Sequence, residues 1–223
     1  MIFCAAGVLR EKIVLCPICE KRKAERFCPA KAERICAVCC GTEREVSIDC
    51  PPDCGYLVAA HRYEDQHPRP LPEDTPLLSV RLTSDIVHTH QQLLSAIAFT
   101  VAKFCSAEAT AADVDVLAAI QALAESYRTL SSGIVYEKPP VIPVQKDLYN
   151  ALSIFLAETK QQGQSSFGTF KDSEVFHLLV FLFRMGLMRS NGRPRSRRFI
   201  GFLRGQFPGA QELKKEESRI IVP

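Results

Sequence analysis

Eight of the ten cysteines in this 223-residue chain lie between residues 16 and 54. They occur as Cys16-Pro-Ile-Cys19, Cys28, Cys36-Ala-Val-Cys39-Cys40 and Cys50-Pro-Pro-Asp-Cys54. A Cys-x-x-Cys pair supplies two thiolates from one tight turn, and four thiolates complete the tetrahedral shell of a structural zinc ion. Eight cysteines make two complete sets, so the stretch is predicted to be a small binuclear zinc-finger module, mostly irregular with short strands.

The order of the cysteines predicts an interleaved arrangement, in which the first and third groups share one zinc ion and the second and fourth share another. One set comprises Cys16, Cys19, Cys36 and Cys39, and the other comprises Cys28, Cys40, Cys50 and Cys54. Neighbouring side chains of an extended segment point to opposite faces, so Cys39 and Cys40 can serve different ions. Two alternatives stay open: these two cysteines may be exchanged between the sets, and His61 can replace one sulfur.

Metal is favoured over disulfides because the chain is expected in the cytoplasm, a reducing compartment. The apolar start, residues 1–9, is short and lacks the basic leader of a signal peptide. The adjacent pair Cys39-Cys40 also bridges poorly, since a disulfide prefers Cα atoms about 5.5 Å apart. No apolar run reaches the about 20 residues that span a bilayer, so no membrane association is expected.

Proline content and apolar periodicity divide the chain into four segments. Four prolines between residues 68 and 76 prevent a continuing helix and favour a semi-stiff extended spacer. The predicted segments are a zinc module at 11–60, a proline-rich linker at 61–82, an all-α helical domain at 83–208 and a charged tail at 209–223.

Apolar residues at three- and four-residue spacing predict the helices of the third segment. The run from Val175 to Phe183 is apolar on nearly every face, as expected for the buried centre of a helical bundle. Gly133 stands where a glycine stop ends a helix. The predicted helices run from Thr83 or Ser84 to about Ala107, from Thr110 to about Leu130, over about 144–160, from Asp172 or Ser173 onward, and over 196–206.

Basic residues are concentrated in two places. In the zinc module they form Lys21-Arg22-Lys23, Arg26, Lys31 and Arg34. A zinc ion with four thiolates carries a net charge of −2, so these cations can balance the thiolates. Phosphate binding is the alternative.

The second basic region lies in residues 171–223, which carry 11 basic and 5 acidic groups. The Arg-rich segment 184–204 can form a helix-turn-helix that contacts nucleic acid, with Arg193, Arg195, Arg197 and Arg198 as the candidate phosphate-binding residues. The alternative is a glycine-containing turn with solvated arginines.

Nothing in the sequence indicates catalysis. Catalytic zinc keeps an open position and usually has three protein ligands, whereas two sets of four cysteines leave none open. The His-x-Glu signature of zinc deaminases, the phosphate loop and the dinucleotide-binding fingerprint do not occur. The chain is therefore not expected to be an enzyme.

The cysteine stretch resembles the cross-brace zinc fingers of the HIT and B-box types over about residues 16–60. The matching residues are Cys16-Pro-Ile-Cys19, Phe27-Cys28-Pro29 and Ile35-Cys36-Ala-Val-Cys39-Cys40. The longer string from Ile35 to Val46, with Tyr127-Arg-Thr-Leu-Ser-Ser-Gly-Ile134, is similar to uncharacterised bacterial zinc-finger proteins. The resemblance implies an adaptor, in which zinc holds rigid a surface that docks protein partners. Regulatory nucleic-acid binding is the alternative function.

Overall fold

The computed structural model describes residues 14–68, 70–161 and 167–210, and the chain divides after Arg62 into two compact units. We call them the cysteine unit and the helical unit. The predictions for the apolar start, for most of the charged tail and for the centre of the loop at 161–169 lie outside the described residues. The described elements are β1 (Arg26–Cys28), β2 (Glu33–Ile35), α1 (Ala37–Glu43), α2 (Gly55–Gln66), α3 (Ser84–Thr89), α4 (Gln91–Ala107), α5 (Asp113–Ser131), α6 (Pro143–Gln161), α7 (Asp172–Arg189) and α8 (Arg198–Gln206).

The cysteine unit is built on a two-stranded antiparallel hairpin. Its register places Arg26 opposite Ile35, Phe27 opposite Arg34, and Cys28 opposite Glu33. Ile35 and Cys28 are buried, so one face of the hairpin covers a small core of cysteines and isoleucines. The short strands agree with the sequence prediction.

Two helices in this region were not predicted. α1 begins directly after β2, and the Cys36 side chain caps it by accepting a hydrogen bond from the Cys39 backbone N–H. α2 continues to Gln66, beyond the predicted start of the linker at residue 61. Seven residues are too few to show helical periodicity, which explains why α1 escaped the sequence pattern.

The helical unit packs its helices around one apolar core. α5 lies against α7 over much of its length and also contacts α6 and α8. Nearly all of the predicted apolar run in α7 is buried, as expected for a central helix. Gly133 has φ +78° and follows α5 in a Schellman-type stop, with backbone N–H bonds from Gly133 to Leu130 and from Ile134 to Thr129.

One predicted helix is interrupted. The pattern predicts a single helix from about residue 83 to 107, but α3 ends at Thr89 and α4 begins at Gln91. His90 separates them with φ −110° and ψ 29°, outside the helical region. Its side chain is buried, and Nε2 lies 3.4 Å from a carboxylate oxygen of Glu174. His90 is therefore a buried polar residue that contacts a carboxylate from another helix.

A buried carboxylate joins the starts of α5 and α8. Asp113 accepts hydrogen bonds from the backbone N–H groups of Phe199 and Ile200 and from the Ser196 hydroxyl. Its own N–H donates to the Ser196 carbonyl at 2.7 Å. Burial raises the pKa of Asp113, while the bonds from Ile200, Phe199 and Ser196 lower it. Asp113 thus caps α8 from a position 86 residues earlier in the chain.

Candidate metal centre

The first cysteine pair lies in a tight turn whose backbone is bonded at both ends. The N–H of Cys16 donates to the Arg22 carbonyl at 2.8 Å, and the N–H of Glu20 donates to the Cys16 carbonyl at 2.7 Å. Glu20 follows the pair with φ +53°, a left-handed conformation that reverses the chain. This geometry directs both thiols of the pair to the same side.

The second pair comes from the start of α1. Cys36 is the N-cap and Cys39 lies within the first turn, so both sulfurs lie at the same end of the helix. The Cys39 N–H donates to Cys36 Sγ at 3.3 Å. Cys39 and Cys40 diverge because successive residues of a helix are about 100° apart. The sequence prediction attributed their divergence to an extended segment, whereas the structure has a helix there.

The two pairs bring four sulfurs together. The Sγ atoms of Cys16, Cys19, Cys36 and Cys39 all lie within 4.8 Å of one another. Among the residues that the structure describes, this is the one group of His, Cys, Asp or Glu ligand atoms so closely gathered. It is the first of the two sets predicted from the sequence, with Cys39 and not Cys40 as its fourth member.

The spacing of these sulfurs fits a tetrahedral zinc ion. Four ligands at a Zn–S distance of about 2.3 Å are about 3.8 Å apart from one another. Cys19 Sγ and Cys36 Sγ are 3.9 Å apart. A disulfide requires about 2.05 Å, and all four cysteines are free thiols. The group can therefore hold one metal ion.

Hydrogen bonds to the sulfurs favour their thiolate form. The backbone N–H groups of Lys21 and Arg22 lower the pKa of Cys19 to about 6. Burial raises the pKa of Cys16, but the backbone N–H groups of Cys36, Cys19 and Ile18 lower it by more. The net result is a pKa below the usual value of a thiol.

Cys39 shows the opposite shift. Burial and the three neighbouring thiols raise its pKa to about 12. Four thiolates this close repel one another, so full deprotonation needs a cation among them.

Arg22 supplies one cation beside this group. Its guanidinium donates to the sulfurs of Cys19 and Cys36, and these contacts raise the pKa of Arg22. The sequence assigned the whole basic run to charge balance or phosphate binding, and could not single out Arg22. Its position directly after the Cys-x-x-Cys turn is the signal that identifies it.

The other four cysteines line one small cavity. Cys28, Cys40, Cys50 and Cys54 surround a space of about 10 Å³, together with apolar residues that include Ile35, Ile48 and Leu57. This volume corresponds to about one water-sized sphere. Burial raises the pKa of Cys50, with contributions from the charges of Cys54 and Cys28. The cavity is too small for an organic ligand, and these four sulfurs are not gathered within 4.8 Å of one another as those of the first set are.

Polar groups lie beside this second set of cysteines. The Glu45 backbone N–H bonds Cys50, and Arg44 Nη2 lies 4.0 Å from Cys40 Sγ. His61, the alternative ligand, has its Nε2 3.1 Å from each carboxylate oxygen of the buried Glu45. His61 therefore binds a carboxylate in this structure. Glu45 and Arg44 were not recognised in the sequence because neither lies in a cysteine motif.

The candidate nucleic-acid residues make several intramolecular contacts. Arg198 forms ion pairs with Glu64 and Asp65, and Arg197 donates to the carbonyls of Ala111 and Ala109.

Arg193 is half-buried, and its backbone N–H bonds Asn191, whereas Arg195 is exposed. Eight residues separate α7 from α8, about twice the length of the turn in a helix-turn-helix. The structure thus uses Arg197 and Arg198 to hold the fold.

Cys105 lies apart from the other described cysteines. It is buried in the core of the helical unit, and burial raises its pKa to about 12. Its carbonyl accepts a hydrogen bond from Arg204. Cys105 therefore packs in the apolar core of the helical unit.

Comparisons with models of protein families, with curated proteins and with solved structures found no match. The resemblance to HIT and B-box fingers is therefore still a prediction from the sequence. None of the described helices is long and apolar enough to cross a membrane.

Proposed function

We propose that this protein is a non-catalytic, zinc-dependent adaptor whose cysteine unit docks protein partners. The observation that carries the proposal is the group of four sulfurs within 4.8 Å of one another. Four cysteine ligands fill a tetrahedral site, which leaves no position for a substrate or an activated water. A closed site of this kind stabilises a fold and its surface, and supplies no reactive group.

We further propose that Cys28, Cys40, Cys50 and Cys54 bind a second zinc ion. In support, all four line the same cavity of about 10 Å³. The Glu45 N–H and the Arg44 guanidinium are placed to offset thiolate charge there, as Arg22 is at the first set. The two sets would then interleave along the chain, with one peptide bond joining Cys39 of one site to Cys40 of the other.

Exposed apolar side chains support a docking role for this unit. Leu15, Phe27, Val38 and Tyr56 are between 40% and 53% exposed in a unit with few buried apolar residues. A small unit that leaves such side chains in water, and holds its backbone with metal, has the character of an interaction surface.

Metal stoichiometry tests the two-ion proposal. The 223-residue chain, purified without chelator, is expected to contain two zinc ions by elemental mass spectrometry. Cys36→Ser and Cys50→Ser each remove a ligand from a different set, so each variant should retain about one ion. Cys105→Ser is the matched control and should retain both. One ion in the wild type, lost only in Cys36→Ser, would reject the second site.

The docking role is tested by comparing proteins captured from the source cell by the wild type, Cys36→Ser and Cys105→Ser. The adaptor proposal expects specific partners that the wild type and Cys105→Ser retain and Cys36→Ser loses. Partners retained equally by all three would place docking outside the cysteine unit.

Nucleic-acid binding by segment 184–204 is the alternative function. Each phosphate contact adds about 0.9 to the logarithmic salt slope of duplex DNA binding. A steep slope for the wild type that falls in Arg195→Gln would favour the alternative, because Arg195 is exposed and its loss leaves the contacts of Arg197 and Arg198 intact.

A further inference from the structure

The hairpin of the cysteine unit has an outer face that pairs apolar side chains with cations. Phe27 and Arg34 lie directly opposite each other on β1 and β2, so their side chains project to the same side. Both are exposed, Phe27 at 53%. Arg34 Nη1 donates to the Glu25 carbonyl, which leaves its other guanidinium donors directed to solvent.

A second pair of the same kind lies nearby. Leu15 and Lys23 face each other across an isolated antiparallel bridge, and both are exposed, Leu15 at 52%. The neighbouring backbone bond, from the Ala24 N–H to the Val14 carbonyl at 2.8 Å, holds these two segments side by side.

The two pairs share one face of the unit. From residue 23 to residue 28 burial alternates: Ala24 and Cys28 are buried, whereas Lys23, Glu25 and Phe27 are exposed. This alternation is the pattern of an extended segment with one face against the core. Lys23, Glu25 and Phe27 therefore project outward together, with Leu15 beside Lys23 and Arg34 beside Phe27. We call this set, Leu15, Lys23, Glu25, Phe27 and Arg34, the outer face.

Cations outnumber carboxylates around the outer face. Residues 21–34 contain six cations and two carboxylates, a formal +4 that the thiolates of two zinc ions, at −2 for each ion, would offset for the unit as a whole. Two of the cations have partners inside the unit: Arg22 interacts with the sulfurs of Cys19 and Cys36, and Arg26 lies over the Tyr56 ring at 4.7 Å. Lys21, Lys23 and Lys31 are exposed, so they are placed to meet the carboxylates of a partner.

We propose that the outer face binds an acidic protein segment whose carboxylates alternate with apolar side chains. The carboxylates complement the exposed Lys23 and Arg34, and apolar side chains of the partner cover Leu15 and Phe27. The inference rests on the proposed function, because the zinc-binding turns hold both pairs in register. It adds the place of docking and the chemistry of the partner.

Leu15 favours a peptide over single-stranded nucleic acid. Nucleic-acid strands bind on aromatic platforms, where each base stacks on a ring. Phe27 is such a ring, but Leu15 is aliphatic and offers no stacking surface. Residues 1–13 of the same chain are a poor complement, because they carry two cations and one carboxylate.

A selection from a random library tests the proposal. A displayed library of twelve-residue peptides is selected on the zinc-loaded 223-residue chain. Enriched sequences are expected to combine several Asp or Glu residues with Leu, Phe or Trp. The best peptide is then labelled with fluorescein, and its affinity is measured by anisotropy beside a copy in which Asn and Gln replace Asp and Glu. The neutral copy should bind at least tenfold more weakly.

Substitutions then locate the binding surface. Phe27→Ser and Arg34→Gln should each weaken binding of the acidic peptide at least tenfold. Val58→Ser is the matched control, since Val58 is a comparably exposed apolar residue that lies on α2 and not on the outer face, and this variant should bind the peptide as the wild type does. The zinc content of every variant is measured, so a loss of binding with full zinc reports the surface and not unfolding.

Three results would overturn the inference: no enrichment, enrichment of peptides without carboxylates, or equal binding by Phe27→Ser and the wild type. Tighter binding of fluorescein-labelled oligo(dT) or oligo(U), lost in Phe27→Ser, would also overturn it in favour of nucleic acid. These failures differ from failure of the proposed function. If the protein lacked zinc, or if Cys36→Ser bound the selected peptide unchanged, zinc-dependent docking itself would be wrong.

Discussion

The cysteine unit and the helical unit exclude water by different means. The core of the helical unit consists mainly of aliphatic and aromatic side chains from five helices, α4 to α8. The core of the cysteine unit contains four buried cysteines and only two buried isoleucines, Ile35 and Ile48. Chains of this size bury too little apolar surface to be stable by packing alone, and metals commonly supply the difference. One unit therefore depends on side-chain volume and the other on sulfur ligands.

Removal of metal should produce the largest difference in stability between the two units. Binding of a structural zinc ion contributes on the order of 10 kcal/mol to the folding of small metal-dependent domains. A strong zinc chelator is therefore expected to unfold residues 14–62, while the helical unit stays folded. Hydrogen–deuterium exchange resolved by peptide would show rapid exchange in β1, β2 and α1 and retained protection in α5 and α7.

Thiol labelling provides the control for this prediction. In the chelated protein the eight clustered cysteines should react rapidly with a thiol reagent at pH 8, whereas Cys105 stays protected, because burial raises its pKa to about 12. Rapid reaction of Cys105 would show that the two units unfold together, and that the helical unit is not stable without metal.

Loss of the buried cap should destabilise only the helical unit. Asp113→Ala leaves the Phe199 and Ile200 N–H groups and the Ser196 hydroxyl without their acceptor. Unsatisfied buried donors and a lost cap together cost about 3 kcal/mol. Urea unfolding followed by circular dichroism should show this loss with zinc content unchanged. A loss below about 1 kcal/mol, or a release of zinc, would contradict the separate roles of the two units.

Gly186 should tolerate no side chain. A Cβ atom there would lie 2.7 Å from Leu117 Cδ2 and 2.8 Å from Phe199 Cε1. Overpacking of this kind costs about 1–3 kcal/mol, so Gly186→Ala should lower the midpoint of thermal unfolding. Gly201→Ala is the control: it meets nothing within 4 Å in α8, and should stabilise that helix by up to about 1 kcal/mol. Equal effects of the two substitutions would refute the packing argument.

The smallest expected effect is a gain in the zinc affinity of the cysteine unit. Glu20 has φ +53°, which costs an L-residue about 1 kcal/mol and glycine almost nothing. Glu20→Gly should therefore tighten zinc binding several-fold in a chelator competition. Glu25→Gly removes the same charge at a residue whose φ is negative, and this substitution should weaken zinc binding. Weaker zinc binding by Glu20→Gly would show that its carboxylate matters more than its backbone.

Patterns local to the sequence predicted the features that depend on local chemistry. The Cys-x-x-Cys spacing identified the first sulfur group, since each pair occupies one turn. The three- and four-residue apolar spacing located the long helices, and Gly133 marked a real stop at φ +78°. In these cases the physical cause lies within a few residues of the signal.

Features that depend on residues far apart in the chain could not be predicted from local sequence patterns. The ion pairs of Arg198 join it to Glu64 and Asp65, which lie more than 130 residues earlier. Asp113 caps α8 through residues that follow it by more than 80 positions. The carboxylate of Glu174 beside the buried His90 comes from another helix.

The neighbouring positions of Cys39 and Cys40 give the two cysteine sets an order during synthesis. The ligands of the first set are complete once Cys39 has left the ribosome, whereas the second set waits for Cys54. At about 5–20 residues per second, translation separates the two events by about one to three seconds. If both sets bind zinc as proposed, the nascent chain captures its first ion while Cys50 and Cys54 are still in the exit tunnel. With α1 formed around that ion, Cys40 would be directed toward the place where the proposed second set assembles.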